Sequence, residues 1–185
     1  MKGKGRRGKE KVDIADLVLR YCLAIFSGFF IFVFYAIFTP LTMFFLKLLT
    51  INPEITITNN MVFYKNFSIE IIAACIGGSA YYLLLVLNLL TPKMKFKKRI
   101  LVFLFSACLF FVLNFVRLIC LILLTFSGID VYFYHKMFWY AGSTIFVFFI
   151  WVLCIKIFKI KEIPFISDMY FLLNLMKPKK LKIKK

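Results

Sequence analysis

Four long apolar segments constrain the fold of this chain more than any other feature of its sequence. Each is close to or above the roughly 20 residues that a helix needs to cross a hydrocarbon core of about 30 Å. Apolar runs of this length are typical of membrane-spanning helices. The sequence therefore predicts an all-α polytopic membrane protein with about four transmembrane helices, at residues 17 to about 38, 69–90, 100–126 and 137 to about 155.

The composition indicates lipid as the solvent of these segments. Of the 185 residues, 63% are hydrophobic and 25 are Phe, whereas soluble domains are about 45–50% apolar. A net charge of +17 is also typical of nucleic-acid-binding proteins, but these carry their charge on one face of a soluble fold. Here the basic residues lie between apolar segments. We therefore expect a multi-pass protein of the cell membrane, with no nucleic-acid partner.

Lysine and arginine residues are distributed unequally between the two predicted sides of the membrane. The segment up to Arg20 contains seven, residues 91–99 contain five, and the tail from Lys156 contains nine. Positively charged loops stay on the cytoplasmic side. Both termini are therefore expected in the cytoplasm, and residues 39–68 and 127–136 are expected outside.

This topology divides the chain into three parts. We expect residues 1–16 to form a basic cytoplasmic segment, residues 17–156 the transmembrane domain, and residues 157–185 a cytoplasmic tail. In the tail, the apolar patch 163–176 is short for a span and is interrupted by polar residues. It predicts an interfacial helix that, with the polybasic end, contacts anionic lipid headgroups. Membrane lipids are thus expected partners.

The outer segment before the second span predicts a short hairpin. Residues 55–58 read Ile-Thr-Ile-Thr, an alternation with period two, and Asn59-Asn60 is a turn signal before a second β-prone run. A hairpin here would either cover a site or offer an edge to an extended peptide. A simple connector is the alternative.

Arg117 lies inside the third apolar segment, in the run V-L-N-F-V-R-L-I-C. A charge at the bilayer centre costs about 2.5–3.5 kcal/mol on insertion scales, so the residue needs a partner or a use. A helix from Ile100 that rises about 1.5 Å per residue puts Arg117 in the outer third of the membrane. Asn114 lies on the same helical face. A snorkelling or carbonyl-bound arginine is the structural alternative.

Cys75 differs from the other four cysteines, which lie in apolar helix interiors. It lies near the outer end of the second predicted helix, in A-A-C-I-G-G-S-A. There, Gly77 and Gly78 allow close backbone approach, and Ser79 follows at i+4 on the same face. A helix N-terminus and a nearby cation both favour thiolate. No CxxC motif is present, so we expect no metal, redox pair or other cofactor.

His135, the only histidine, completes a candidate site with Cys75 and Arg117. It lies where the last outer loop enters the fourth predicted helix. Cysteine supplies a nucleophile, histidine a general base and acid, and arginine a charge for a developing oxyanion. These residues alone predict an intramembrane thiol enzyme whose active site faces outside.

The motifs and their order resemble those of the exosortase/archaeosortase family. The similar elements are A-A-C-I-G-G-S, then N-F-V-R-L, then a histidine with Gly142 seven residues beyond it, over roughly residues 50–155. Many members carry Cys-Ser-Gly or Cys-Thr-Gly, whereas here Ile76 follows Cys75. The resemblance implies a membrane-embedded cysteine peptidase and transpeptidase. Such enzymes cleave the C-terminal sorting signal of secreted proteins, which precedes a hydrophobic tail helix and a basic cluster, and pass the product to a lipid or other surface acceptor.

The resemblance also implies a role for each residue of the site. Cys75 would attack the scissile carbonyl, Arg117 would stabilise the oxyanion or the thiolate, and His135 would move protons. Asn114 would be an orienting partner. Ser79 is expected as a supporting residue on the ground of its i+4 spacing to Cys75, not of the resemblance.

Two other functions stay open at this point. A membrane thiol oxidoreductase would need paired cysteines at an outer loop, and none of the five lies there. A non-enzymatic membrane subunit would use Arg117 to pair with a partner's carboxylate, while Cys75 merely packs. Glu70 and Asp130, near the predicted outer face, are further candidates for such a partner contact.

Overall fold

The structure, a computed structural model, is mostly helical. It describes residues 2–50, 54–65, 67–129, 132–137 and 142–176. Within these ranges, side chains are described from residue 14 to residue 173.

The described helices are α1 (Lys2–Phe26), α2 (Phe30–Leu49), α3 (Ala73–Ile76), α4 (Gly78–Leu90), α5 (Phe96–Phe126), α6 (Tyr132–Met137), α7 (Ser143–Ile157) and α8 (Ile166–Met176). A 3₁₀ segment (Ser27–Phe29) joins α1 to α2. The strands are β1 (Ile55–Thr58), β2 (Met61–Tyr64) and β3 (Phe67–Glu70).

Among the residues that the structure describes, two helical stretches are long and apolar enough to cross a membrane. They are Ile14–Leu49, which runs through α1 and α2, and Phe96–Phe126, which is α5. The predicted third segment is thus a single helix that begins slightly before its apolar run. Of the fourth predicted segment, α7 forms the C-terminal part, while Met137 ends the separate helix α6.

The first helical stretch extends past the predicted end near residue 38, where an outer loop was expected. Pro40 lies inside α2 and does not end it. The apolar sequence continues beyond this proline, and Met43 and Leu46 are buried in a cluster that also contains Cys75. Tertiary packing of this apolar face therefore outweighs the helix-breaking tendency of the proline.

The second predicted segment, 69–90, is not one helix. Its first two residues belong to β3, and the part from Ala73 onward forms α3 and α4, which Gly77 separates. Gly77 has a φ of +75°, in the left-handed region, so the helix cannot continue through it. The prediction of an unbroken span was therefore wrong, because a local backbone reversal interrupts the apolar run.

The predicted hairpin is present and is part of a three-stranded antiparallel sheet in the order β1-β2-β3. Thr58 pairs with Met61 across the Asn59-Asn60 turn, and Met61 pairs in turn with Glu70 of β3. Asn59 adopts a φ of +51°, which asparagine tolerates better than most residues. The all-α prediction was wrong in this respect, because residues that were assigned to a helix extend the hairpin instead.

Helix α4 is the central helix of the bundle and contacts α1, α2, α5 and α7. Its residue Tyr81 is fully buried and stacks on Phe38 of α2, with ring centroids 3.9 Å apart. On the other side, Phe110 of α5 meets the Tyr81 ring edge-on at 4.8 Å. Aromatic packing of this kind fixes the relative positions of α2, α4 and α5.

Two arginines from other helices bind the carbonyl groups at the C-terminal end of α4. Arg99 donates to the carbonyls of Asn88, Leu89 and Thr91, and Arg20 donates to that of Leu90. The last carbonyls of a helix have no partner within the helix. These contacts therefore provide hydrogen bonds that water would otherwise have to supply.

Arg20 also holds α8, the helix predicted within residues 163–176. Its guanidinium lies 2.9 Å from the Asp168 carboxylate, and both side chains are buried. A second carboxylate, that of Asp16, lies 3.0 Å from Nε of the same arginine. The charge of Arg20 is thus compensated inside the protein.

We expect Asp168→Ala to destabilise the protein by about 3 kcal/mol, because it leaves part of a buried guanidinium charge without its partner. Unfolding by dodecyl sulfate in mixed micelles would measure this free energy. Glu162→Ala is the control: it removes an equally short ion pair, with Lys93 at 2.9 Å, in which the lysine is largely exposed and the glutamate partly exposed. That pair should contribute less than about 1 kcal/mol. Equal losses in the two variants would contradict a special role for the buried pair.

Candidate active site

Gly77 creates the backbone geometry around Cys75. It ends α3 and precedes α4, and a Cβ atom at this position would lie 3.1 Å from the Phe110 ring. A Cβ at Gly78 would lie 2.6 Å from the ring of Tyr35. The close approach predicted at both glycines is therefore confirmed. The site needs Gly77 for its positive φ as well as for its small size.

Asn114 of α5 binds the carbonyl groups that this break leaves. Its Nδ2 donates to the carbonyl oxygen of Cys75 at 2.8 Å and to that of Ile76 at 3.2 Å. Since carbonyl oxygens only accept, the amide nitrogen must face them, and Oδ1 points elsewhere. The predicted orienting residue therefore contacts the backbone of Cys75 rather than its thiol.

Cys75 is buried, with 6% of its surface exposed. It packs among apolar side chains from α2, β2 and α5, including Met43, Val62 and Leu118. Its backbone N–H donates to the carbonyl of Ile72 at 2.9 Å. Because α3 has only four residues, it offers little of the helix dipole on which the sequence argument for a thiolate relied. A thiolate at Cys75 would therefore depend on a nearby cation.

Arg117 is this cation. It lies three residues after Asn114 on the same face of α5, is 5% exposed, and interacts electrostatically with the Cys75 thiol. Its Nη1 donates to Oγ of Ser143 at 3.2 Å. Sequence reasoning missed Ser143. The available signal was a small polar Gly-Ser-Thr run at the start of an otherwise apolar helix.

His135 lies on α6, half-buried, and is the third predicted residue of the site. Burial, together with the positive charge of Arg117, lowers the pKa of its imidazole below the ordinary value of 6.5. Arg117 thus interacts with both Cys75 and His135. At neutral pH the imidazole is neutral, which is the form that can accept a proton.

The remaining predicted residues lie elsewhere. Ser79 is exposed, because the reversal at Gly77 breaks the i,i+4 relation that would have placed it beside Cys75. Its predicted supporting position was therefore wrong. Glu70 is exposed on β3, and Asp130 lies outside the described residues.

Two polar atoms of this cluster are buried without a hydrogen-bond partner among the described residues. They are Oδ1 of Asn114 and Nε of Arg117. Buried polar groups are almost always satisfied, so such atoms require an explanation. One is an acceptor and the other a donor, and each belongs to a residue that already contacts or interacts with Cys75. They leave unused hydrogen-bonding capacity at the site.

We expect Gly77→Ala to destabilise the protein more than Gly128→Ala. Gly128 has nearly the same φ, +77°, but a Cβ there would meet nothing within 4 Å. Both variants lose about 1–2 kcal/mol from the left-handed conformation. Only Gly77→Ala also clashes with Phe110, which adds about 1–3 kcal/mol. Unfolding in mixed micelles would compare them, and equal losses would contradict the tight packing at Gly77.

We also expect the pKa of His135 to lie below 6.5 and to rise in Arg117→Met. Since the chain has one histidine, a ¹³C-histidine label gives a single NMR titration curve. The lowered pKa means that the unfolded chain binds the proton more tightly. Stability linked to His135 is therefore complete above pH 6.5 and declines as the pH falls through the folded-state pKa. Lys136→Gln, which removes the adjacent charge, should leave the titration unchanged; an equal shift in both variants would contradict the coupling to Arg117.

The cluster can thus supply a thiol, a fixed cation and a neutral imidazole within one region. Among the described residues, no group of three or more His, Cys, Asp or Glu side chains is arranged to hold a metal ion. Compared with known proteins, the chain matches no family model, no curated protein and no solved structure.

Proposed function

We propose that this protein is an intramembrane cysteine peptidase and transpeptidase of the exosortase/archaeosortase type. Its substrates would be secreted surface proteins that carry a C-terminal sorting signal followed by a hydrophobic tail helix. The scissile peptide bond would be cleaved at the outer face of the membrane. The acyl product would then pass to a lipid or another surface acceptor.

One observation carries this proposal. A buried cysteine lies on a four-residue helix whose end carbonyls are bound by Asn114, while Arg117, one turn along α5, interacts with its thiol. Because only 5% of Arg117 is exposed, its guanidinium is energetically costly to keep without a full set of acceptors. A substrate oxyanion beside Nε of Arg117 would provide the missing acceptor.

The reaction follows from the groups present. The Cys75 sulfur, having given its proton to His135, attacks the scissile carbonyl, and negative charge develops on the carbonyl oxygen. Arg117 stabilises this oxyanion. The C–N bond then breaks, His135 donates the proton to the leaving amine, and a thioester with Cys75 remains. An acceptor amine or alcohol releases the acyl group and restores the thiol.

We further propose four membrane crossings, with both termini in the cytoplasm. The α4–α5 connection meets the α7–α8 connection through the Lys93–Glu162 pair, and Arg20 joins α8 to the same end of the bundle. These are the segments rich in basic residues. Arg117 lies about 31 Å along α5 from Phe96, which is close to the thickness of the hydrocarbon core. This arrangement favours an active site at the opposite, outer face.

The exposed apolar surface also supports a lipid environment. In the most apolar part of Ile14–Leu49 only 17% of residues are buried inside the protein, and in that of α5 only 39%. Large side chains such as Phe26 and Ile25 are 80% and 74% exposed. A soluble fold does not expose a continuous apolar surface of this extent.

The alternatives predict different behaviour of the cysteines. All five are free, and the two buried ones, Cys75 and Cys154, belong to different core clusters. A thiol oxidoreductase would need two of them to approach each other. A non-enzymatic subunit would tolerate replacement of Cys75 by alanine as well as that of Cys154.

We expect the protein to process a suitable reporter only when Cys75 is present. The reporter library would join a secreted domain to a randomised hexapeptide, an apolar helix and a basic cluster, and would be co-expressed with the protein. Loss of the tail would be detected by a mass shift. Cys75→Ala should abolish cleavage, and Arg117→Met should slow it about 100- to 1,000-fold.

The matched control is Cys154→Ala, which removes an equally buried thiol from the other core cluster. It should retain cleavage. A thioester between Cys75 and the reporter, sensitive to hydroxylamine, would identify the intermediate. If no reporter is cleaved, or if cleavage persists in Cys75→Ala, the non-enzymatic subunit becomes the better explanation.

A further inference from the structure

A basic cavity lies at the opposite end of the bundle from Cys75. Its volume is about 370 Å³, and it lies between the α4–α5 and α7–α8 connections. The charged side chains that line it are Lys93, Lys95, Lys98, Lys159, Lys161 and Glu162. We propose that this cavity binds a phosphate group, such as the headgroup of an anionic lipid.

The charge of the cavity is the first reason. Its one carboxylate, on Glu162, is already bound to Lys93 at 2.9 Å. Lys95, Lys98, Lys159 and Lys161 have no ion pair with any described residue. Four ammonium groups in one concavity repel one another, and an anion with several acceptor oxygens relieves this repulsion.

The N-terminus of α5 forms part of the same wall. Lys95 is its N-cap residue, no side chain caps the helix, and its first turn contains no acidic residue. The first backbone N–H groups of a helix have no partner within the helix and favour anions. Lys98, in this first turn, adds its side chain to the cavity. The helix end and the lysines thus favour the same ligand charge.

Helix-end geometry places one of these lysines at the cavity. Lys159 has a φ of +47° because it ends the C-terminal cap of α7, in which the N–H of Ile160 donates to the carbonyl of Ile155 at 3.0 Å. This cap turns the chain into the connection that lines the cavity.

The apolar surface beside the cavity favours a lipid as the source of the phosphate. Phe96, Ile100 and Leu104 are 76%, 45% and 59% exposed, and their i,i+4 spacing puts them on one face of α5. This face leads away from the cavity along the helix. An acyl chain could lie on it while its phosphate occupies the cavity.

Titration of the purified full-length protein in neutral detergent tests this inference. The probes are phosphatidylglycerol in mixed micelles, inorganic phosphate, and phosphatidylcholine as the zwitterionic control. Each is followed by the shift in thermal unfolding temperature. Phosphatidylglycerol should raise this temperature more than phosphatidylcholine does. An equal rise with inorganic phosphate alone would identify a soluble phosphate compound as the ligand instead of a lipid.

Two double variants separate the cavity from general surface charge. Lys98→Gln/Lys159→Gln should weaken apparent binding about 30-fold, since each lysine contributes about fivefold. Lys97→Gln/Lys156→Gln removes the same charge from exposed positions outside the cavity and should change it about twofold at most. Without anion, the cavity variant should be at least as stable as wild type, because repulsion is reduced. Should it misfold, Lys95→Gln/Lys161→Gln replaces it.

Equal weakening in both double variants, or no shift of the wild type with either anion, would overturn the inference. Neither outcome depends on peptidase activity. The cavity and the proposed active site are thus tested separately.

Discussion

The hydrogen bonds from Asn114 to the carbonyl groups of Cys75 and Ile76 are the interaction on which the site depends. A helix break in apolar surroundings leaves backbone carbonyls that no water satisfies, and each costs several kcal/mol unless another group binds it. The break at Gly77 therefore requires a donor from a neighbouring element. Asn114 is this donor, and it ties α5 to α3. Because Arg117 is one turn further along α5, the same contact sets its position relative to Cys75.

Unpaired backbone carbonyls occur at two places in the second apolar segment, at the C-terminal end of α4 and at the Gly77 break, and different side chains bind them at each place. At its C-terminal end, Arg20 and Arg99 bind the carbonyls of α4, and Asp168 and Asp16 compensate the charge of Arg20. At the Gly77 break, the neutral amide of Asn114 provides the capping, and Arg117 has no carboxylate partner among the described residues. At the end of α4 the charged side chains are paired with carbonyls and carboxylates, whereas at the Gly77 break a cation without a carboxylate partner lies near a thiol.

Much of the helical architecture could be predicted from the length of the apolar runs, as α5 illustrates. The prediction failed where tertiary contacts override local pattern. The sequence predicted that neighbouring groups approach Gly77 closely, but the apolar residues on both sides of it did not indicate its positive φ. The second half of β3, which the sequence assigned to a helix, is a strand because β2 offers it a hydrogen-bonding edge. Met43 and Leu46 extend α2 because they pack against the sheet and Cys75.

The same distinction applies to the site. Cys75 and Arg117 could be identified because a charge in an apolar run and a cysteine beside two glycines are both unusual. Ser143 could not, since a serine at the start of a helix is common and its contact with Arg117 joins residues far apart in the chain. Ser79 was misplaced because i,i+4 reasoning assumes an unbroken helix.

The unsatisfied atoms of Asn114 and Arg117 have a use under the proposed function, although they are not unique among the described residues, since the Tyr81 hydroxyl is also buried without a partner. If Asn114 and Arg117 only stabilised the fold, a buried leucine and methionine with a differently capped helix would avoid two unsatisfied polar atoms. The free-energy cost of burying these two atoms without partners is offset if a bound substrate provides the missing hydrogen bonds. Under the proposed function, a peptide carbonyl that becomes an oxyanion would accept from Nε of Arg117, and the N–H of the same substrate segment would donate to Oδ1 of Asn114. One substrate backbone bound next to Cys75 would then satisfy both atoms during the proposed acyl transfer to the thiol.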